Sequence, residues 1–503
     1  MKFTTPASLL WGLLVSTATT YAASTSNETA SSSTRHIQLP DNFTPPRVFK
    51  NVNLLRNINL EKSYIRETIN VVIENIDKKP QSEYYIPFST EIISKVGGLE
   101  VREKDAPKKG RFEVERADNV LSPVQYFIAR LPEPLAPSSQ LTLGISYYIL
   151  GALDPLPVTI DQDDRQYLTH SFSAYVPSAY VTDNQKTKLK LPNTDIPDFT
   201  KTTGLKSDSS PDPEKQGSSL VYGPYKTSSI APGTIELINI RYELTKPVLI
   251  CSLLERDIEV SHWGGNLATE DRYWLRNGGA QLKNHFSRVS WAMKSYQNLP
   301  TSALRELKVP LKPGSVDPYF TDEIGNVSTS RFRPGPKATL ELKPRYPVFG
   351  GWKYSFTIGW NNALSSFLRV DGVDTYLLKV PFLEGPKMTE GIQYEKVDLR
   401  VVLPEGARNV KYELVDDGRS GMPYEVSSEI SLHKTFMDTL GRTVLKLSME
   451  NVADEARDGE LIVSYEYSSL ETLRKPLTFA AGLLSVFIAA WFIGSLDVSI
   501  KSR

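Results

Sequence analysis

Leu477 to Leu496, LTFAAGLLSVFIAAWFIGSL, is a run of twenty residues without a charge. As a helix rising about 1.5 Å per residue it spans roughly 30 Å, the thickness of a bilayer's hydrocarbon core. This predicts a transmembrane helix over 477–496 and a short tail, DVSIKSR, over 497–503. The rest of the chain then lies on one side of the membrane. The N-terminus indicates which side. Lys2 opens a short basic region, Leu9, Leu10, Trp11, Leu13, Leu14 and Val15 form an apolar stretch too short to span, and Thr20-Tyr21-Ala22 follows as small-residue cleavage context. That order reads as a secretory signal peptide over 1–22. Arg474 and Lys475 before the helix and Lys501 and Arg503 after it leave the positive-inside count tied, so the signal peptide decides. The expectation is a single-pass type I protein with its bulk lumenal or extracellular and its tail cytosolic. The charged tail argues against removal of the apolar stretch for a lipid anchor.

About 450 residues remain between the two apolar segments, enough for two or three domains with a substantial core. Lys+Arg and Asp+Glu balance at 58 each, so no basic excess points to nucleic acid and no acidic excess to a solvating tail. The 34 prolines and 24 tyrosines favour strands and turns over long helices. Cys251 is the single cysteine, which rules out an intramolecular disulfide. Ectodomains that reach the cell exterior usually carry several, so this favours a protein retained inside the secretory pathway. Within VLICSLL, Cys251 reads as a small buried hydrophobe rather than a reactive thiol.

Residues 23–44, with STSNETASSST at 24–34, are polar and of low complexity and are expected to be disordered. Beyond them, TINVVIE, LTLGISYYIL, TIELINIRYEL, KYSFTIGW, VDLRVVLP, TVLKLSM and ELIVSYEY are strand-like runs separated by Pro and Gly. The predicted fold is mainly β: two antiparallel β-sandwich-like lumenal domains, at 45–255 and 256–470, followed by the membrane helix. The polar stretch 183–220 is expected to form a long loop, and a helical interlude is expected near 299–308. No repeat of fixed period is visible.

No catalytic constellation emerges. HExxH, GxSxG, GxxxxGK[ST] and GxGxxG are absent, and His36, His170, His262, His285 and His433 lack zinc-like spacing. Asp161-Gln162-Asp163-Asp164 contains a D-x-D pattern able to hold a divalent cation beside a sugar diphosphate; an acidic turn is the simpler account. Asp371 and Asp374 flank Gly372 in the same manner. A carboxylate pair for glycoside hydrolysis stays open, because its separation is spatial rather than sequential. The expected catalytic, cofactor and metal residues are none. Three Asn-X-Ser/Thr acceptors, Asn27, Asn42 and Asn326, are candidate N-glycosylation sites behind a signal peptide.

Longer strings are more specific: IEVSHWG at 258–264, YFTDEIGNVSTS at 319–330, RYPVFGGWK at 345–353, LPEG at 403–406 and DTLGR at 438–442. In this order, ahead of one C-terminal membrane helix, they resemble the ribophorin I family, an accessory subunit of the endoplasmic reticulum oligosaccharyltransferase. The resemblance runs from about residue 45 to the end and is densest over 255–355. It implies a non-catalytic subunit supporting transfer of the oligosaccharide from dolichyl diphosphate to Asn in Asn-X-Ser/Thr of nascent chains. Implied partners are the catalytic and accessory subunits, nascent polypeptide and the translocon. Asn326 lies within the matching string and is the leading sequon. Read on their own, Glu259, His262 and Trp263 suit either a partner contact or a satisfied corner of the core. FGGWK suits a tight turn against an indole, and DEIGNVSTS an exposed, glycan-bearing loop. Two other readings remain: a membrane-tethered glycosidase or glycosyltransferase using Asp161 or Asp163, and a type I adhesion or receptor ectodomain.

Overall fold

The computed structural model describes residues 36–495 except 42, 106–109, 120–121, 207–209, 298, 416–424, 435–437 and 439. The expected signal peptide, most of the polar segment, Asn27, Asn42 and the tail 497–503 lie outside the described residues. The described chain is mainly β, as its composition and alternation predict, and ends in the helix Arg474–Ser495.

Two large sheets form the frame. In the first, the spatial order runs Glu214–Gln216, Ser219–Lys226, Val181–Lys190, Phe49–Asn59, Ile65–Asn75, Gln140–Ile149, Val96–Glu103. In the second it runs Ser427–His433, Arg442–Ala453, Ile392–Glu405, Leu249–Ser261, Asn266–Asn277, Lys353–Ala363, Val316–Asp322, Gly325–Asn326. The seven strands of the first sheet match the first seven of the second in spatial order and in chain order, and Gly325–Asn326 is an added eighth at the edge. Each sheet is antiparallel except at its centre, where Phe49–Asn59 pairs in parallel with Val181–Lys190 and Leu249–Ser261 with Ile392–Glu405. The smaller covering sheets repeat as well: Glu113–Asp118, Val124–Leu135, Gln81–Ser89 in one half matches Ser330–Arg333, Thr339–Leu342, Leu307–Pro310 in the other.

The repetition extends to irregularities. The first central hairpin has a bulge between Asn51 and Asn53, and the second has one between Cys251 and Leu253. Asn75 and Asn277 end equivalent strands. Asn75 Nδ2 donates to the carbonyls of Lys79 and Leu135 at 2.9 and 2.7 Å; Asn277 Nδ2 donates to those of Ser302 and Val348 at 2.7 and 3.0 Å. A buried amide with both donors and its acceptor engaged ties a strand end to two other backbone segments at once: for Asn75 its own turn at Lys79 and the end of the strand Val124–Leu135, for Asn277 the loops at Ser302 and Val348.

The core of the described residues falls into two large apolar clusters, one built from Phe49 to Val248 and one from Leu249 to Tyr467, with a small third cluster between them. The division therefore lies at the Thr245–Pro247 turn, and a boundary at 255 would cut the continuous strand Leu249–Ser261. The stretch 183–220 corrects the loop expectation. It begins inside the strand Val181–Lys190, a central member of the first sheet. Its inward positions include Thr182, Gln185 and Thr187, which hydrogen bonding rather than hydrophobicity makes tolerable: Gln185 Oε1 accepts from Val176 N at 2.8 Å and Nε2 donates to Thr227 at 3.2 Å. The described residues between 191 and 213 are mainly irregular, as expected for a loop. The helical interlude lies at Arg288–Gln297, not 299–308, where Leu304 instead bridges to Val348 and packs into the second core.

The halves meet along a polar seam. Ser63 N donates to Glu390 O at 2.8 Å, Gly151 N to Gln393 Oε1 at 2.7 Å, and Gln393 Nε2 back to Ser63 O at 3.1 Å. Tyr64 OH donates to Glu455 at 2.6 Å while its ring packs with Tyr148, Leu150 and Ala453. A parallel two-residue bridge, Thr159–Ile160 with Gln281–Leu282, adds a second contact line.

Candidate functional site

Three of the longer strings converge at the end of the second sheet near the junction between the strand Glu460–Glu466, which belongs to a separate four-stranded sheet, and the apolar helix Arg474–Ser495. Strand Leu249–Ser261 runs parallel to Ile392–Glu405, and Arg442 stands opposite Glu405, so 258–264, 403–406 and 438–442 share one end of the sheet. Arg442 is the common tie. Its Nη1 donates to the Glu259 carboxylate, its Nη2 to Val260 O at 3.0 Å and its Nε to Leu403 O at 3.1 Å. A planar guanidinium with several fixed donors suits this joining of two strands and a carboxylate. Glu405 Oε1 accepts from Leu440 N at 2.6 Å, holding the DTLGR turn against LPEG.

The exit of the chain is fixed to the same place. Lys475 Nζ lies 3.0 Å from the buried carboxylate of Asp438, and Glu471 pairs with Arg474 at 2.6 Å and Arg408 at 3.6 Å. A Cβ on Gly406 would stand 2.7 Å from the Glu471 carboxylate, so the glycine of LPEG makes room for this link. His262 is half-buried beneath Tyr376, Tyr465 and Tyr467, its Nε2 2.7 Å from Tyr465 OH. Burial lowers its pKa and keeps the ring neutral. His262 is thus a satisfied corner of the core, whereas Trp263 next to it is exposed.

The other two strings meet at the opposite end of the sheet. Arg345 Nε donates to Asp322 Oδ2 at 2.5 Å and Nη2 to Oδ1 at 3.1 Å, and Nη2 also reaches Asn326 O at 3.0 Å. This bidentate bond holds Asp322 below its ordinary carboxylate range. Asp322 also accepts from the backbone of Ile324 and Gly325, closing the hairpin that presents Asn326 to solvent. In FGGWK, a Cβ on Gly350 would lie 2.0 Å from the Ala280 carbonyl oxygen, and Trp352 packs edge-on against Phe286 and Phe349.

The D-x-D turn is occupied. Asp161 Oδ1 accepts from Asn284 Nδ2 at 2.6 Å, and Asp163 pairs with Lys294 at 2.7 Å and takes the Ser290 hydroxyl at 3.2 Å. Gln162 exchanges bonds with the Ser287 backbone at 2.9 and 3.2 Å. The acidic turn of the first half therefore clamps the helix Arg288–Gln297 of the second. Asp371 and Asp374 sit in the Gly372 turn, where Asp371 N donates to Thr375 O. His170 is buried and stacked 5.7 Å from Phe172, Cys251 is buried with its thiol pKa pushed up by burial, and His36 pairs with Asp118 and Glu425. Among the described residues no three His, Cys, Asp or Glu side chains gather as metal ligands would. What sequence reasoning missed is Arg442 and Asp438 as ties; the strings containing them were visible, but their pairing is not local.

The arrangement is a frame with the helix Arg474–Ser495, long and apolar enough to cross a membrane, at one end and a sequon-bearing hairpin at the other. The family model described as Ribophorin I matches residues 49–494. Dolichyl-diphosphooligosaccharide–protein glycosyltransferase subunit 1 of Schizosaccharomyces pombe is 33% identical over 450 residues, covering 89% of this chain and 95% of the relative. The subunit 1 of Caenorhabditis elegans is 32% identical, covering 90% and 73% respectively, and subunit 1B of Arabidopsis thaliana is 30% identical, covering 92% and 96%. A match across nearly the whole described frame, with the five strings folded into two ends of one sheet, makes this chain a member of the ribophorin I family.

Proposed function

We propose that the chain is a non-catalytic subunit of the oligosaccharyltransferase of the endoplasmic reticulum. In this reading it supports transfer of the dolichyl-diphosphate-linked oligosaccharide to Asn in Asn-X-Ser/Thr of nascent polypeptides. The carrying observation is the family match over 49–494 together with the names of its relatives. The frame is held above the helix Arg474–Ser495 by ion pairs on both sides of the junction, which suits a part that positions polypeptide beside a membrane-embedded partner. The signal-like N-terminus favours a lumenal body, and the solvent-facing Asn326 favours a glycan there. Asp161 and Asp163, the carboxylates of the enzyme alternative, are engaged by Asn284, Ser290 and Lys294 in a structural clamp. Near-zero net charge suits docking by shape and local polar contact rather than by long-range attraction.

Purification of the chain in mild detergent tests this. Stoichiometric recovery of a polytopic oligosaccharyltransferase subunit, with glycan transfer in the eluate, is expected. Glycan transfer by the isolated body, or recovery of the chain alone from active membranes, would overturn it.

A further inference from the structure

The end of the second sheet that holds the chain exit carries large apolar side chains with nothing packed over them. Trp263, at the tip of the hairpin between Leu249–Ser261 and Asn266–Asn277, is 72% exposed. Val373, at the tip between Leu368–Val370 and Thr375–Pro381, is 94% exposed, and Leu470 in the link to the membrane helix is 81% exposed. Leu440 and Val370 are exposed beside them. These residues come from separate loops, yet they share one end of the body. Tyr467 N donates to Asp374 O at 2.8 Å, and the Tyr467 ring lies 4.8 Å from that of His262, so the two hairpin tips bracket the departing chain. Leu440 is held to Glu405, and its neighbour Asp438 binds Lys475.

We infer that these tips form a lipid-contacting rim: Trp263, Val373 and Leu470 rest in the interfacial layer of the bilayer that the helix Arg474–Ser495 crosses. The occupant follows from distance along the chain. Asp438 is bonded to Lys475, and the uncharged run begins two residues later at Leu477, so the hydrocarbon edge lies about 3 Å along the helix from this tie to the body. An exposed surface that close to hydrocarbon faces headgroups. Trp is the side chain best suited to that layer, having an apolar body and one N–H donor. Asp371 and Asp374 flank Val373 and limit how deep that tip reaches, because a carboxylate in hydrocarbon is costly. Arg408, Arg474 and Lys475 supply cations at the same level for lipid phosphates. The body is therefore held at several points and its tilt against the membrane is set, rather than swinging from a single tether. The inference requires the helix to cross a membrane and is independent of the assembly the chain joins.

The test is a nitroxide on the full chain in phosphatidylcholine vesicles, attached through Val373→Cys or Trp263→Cys, with Ile324→Cys as the reference. Ile324 is 80% exposed on the hairpin at the far end of the sheet. Cys251 is buried and its thiol stays protonated, so the label goes to the introduced cysteine. Accessibility to oxygen relative to a water-soluble nickel chelate is expected to be several-fold higher at 373 and 263 than at 324. Equal ratios at the three sites would overturn the inference. So would protection at 373 and 263 that appears only when a polytopic partner subunit is added, since the rim would then be a protein interface.

Discussion

Arg56 and Arg256 occupy the same place in the two central hairpins, but each is neutralised from a different position of the neighbouring strand. Arg56 faces Ile69 and reaches diagonally to Glu67, with two bonds of 2.8 Å. Arg256 faces its counterion, Asp271, with bonds of 2.8 and 2.9 Å, and takes a second carboxylate, Glu384, at 2.5 Å. The buried cation is common to both halves, whereas the buried anion is not.

Removing that cation is expected to be costly. Arg256→Met leaves Asp271 and Glu384 buried together without their guanidinium, a change worth about 3–5 kcal/mol. Asp271, already pushed up by burial, then favours the protonated form more strongly, so the deficit should shrink in acid. Denaturant unfolding of the variant at two pH values checks both the size and the direction.

Two buried groups give opposite pH dependences in one window. Burial pushes Asp271 up to about 6 against the pull of Arg256, so between its ordinary 3.8 and about 6 the folded state holds the extra proton and stability falls as pH rises. Burial pushes His170 down to about 4, so between about 4 and 6.5 the unfolded state holds the extra proton and stability rises with pH. Each effect amounts to at most about 3 kcal/mol. They oppose each other in the parent. Asp271→Asn should expose the rising slope and His170→Gln the falling one, read as melting temperature from pH 4 to 6.5; parallel profiles for the two variants would refute the assignment.

The seam between the halves should depend on one glutamine more than on its visible ion pairs. Gln166 is fully buried, donates to Leu244 O and Lys246 O at 2.9 Å, and accepts from Ala280 N at 2.9 Å. Gln166→Leu strands those backbone groups and is expected to cost about 2–4 kcal/mol. Asp163→Asn weakens an exposed pair with Lys294 and is expected to cost under about 1 kcal/mol. Chemical denaturation of the two variants side by side gives the ranking.

Asn326→Gln should remove one glycan without loss of stability, because the side chain faces solvent and the hairpin is held by Asp322 and Arg345. A mobility shift on endoglycosidase treatment that is smaller by one glycan in the variant than in the parent checks the site. Asp322→Ala, by contrast, should loosen the hairpin and lower occupancy.

The helix and most strands were legible because their signals are local: an uncharged run from Leu477, and alternation such as that of Ile69, Val71 and Ile73, all buried. Val181–Lys190 was not legible, since its inward Thr182, Gln185 and Thr187 look polar until their hydrogen bonds are known. The internal repetition was hidden for a related reason. Asn51 and Cys251 mark equivalent bulges with unrelated side chains, and Glu67 and Asp271 serve equivalent arginines from shifted positions. The strings that carry the family were visible, but Arg442 meets Glu259 only through a parallel pairing of distant strands.

The parallel pairs at the two sheet centres also bear on synthesis. The open side of Phe49–Asn59 finds its partner only when Val181–Lys190 has emerged, and that of Leu249–Ser261 only with Ile392–Glu405. Roughly 120 residues intervene in the first case, and at about 5–20 residues per second the strand waits some 6–24 s with its edge uncovered. Such an interval is long beside local hairpin closure, which takes microseconds. Each half thus passes through a vectorial, half-paired stage during translation, a period in which a chaperone that masks extended backbone would govern yield more than final stability does.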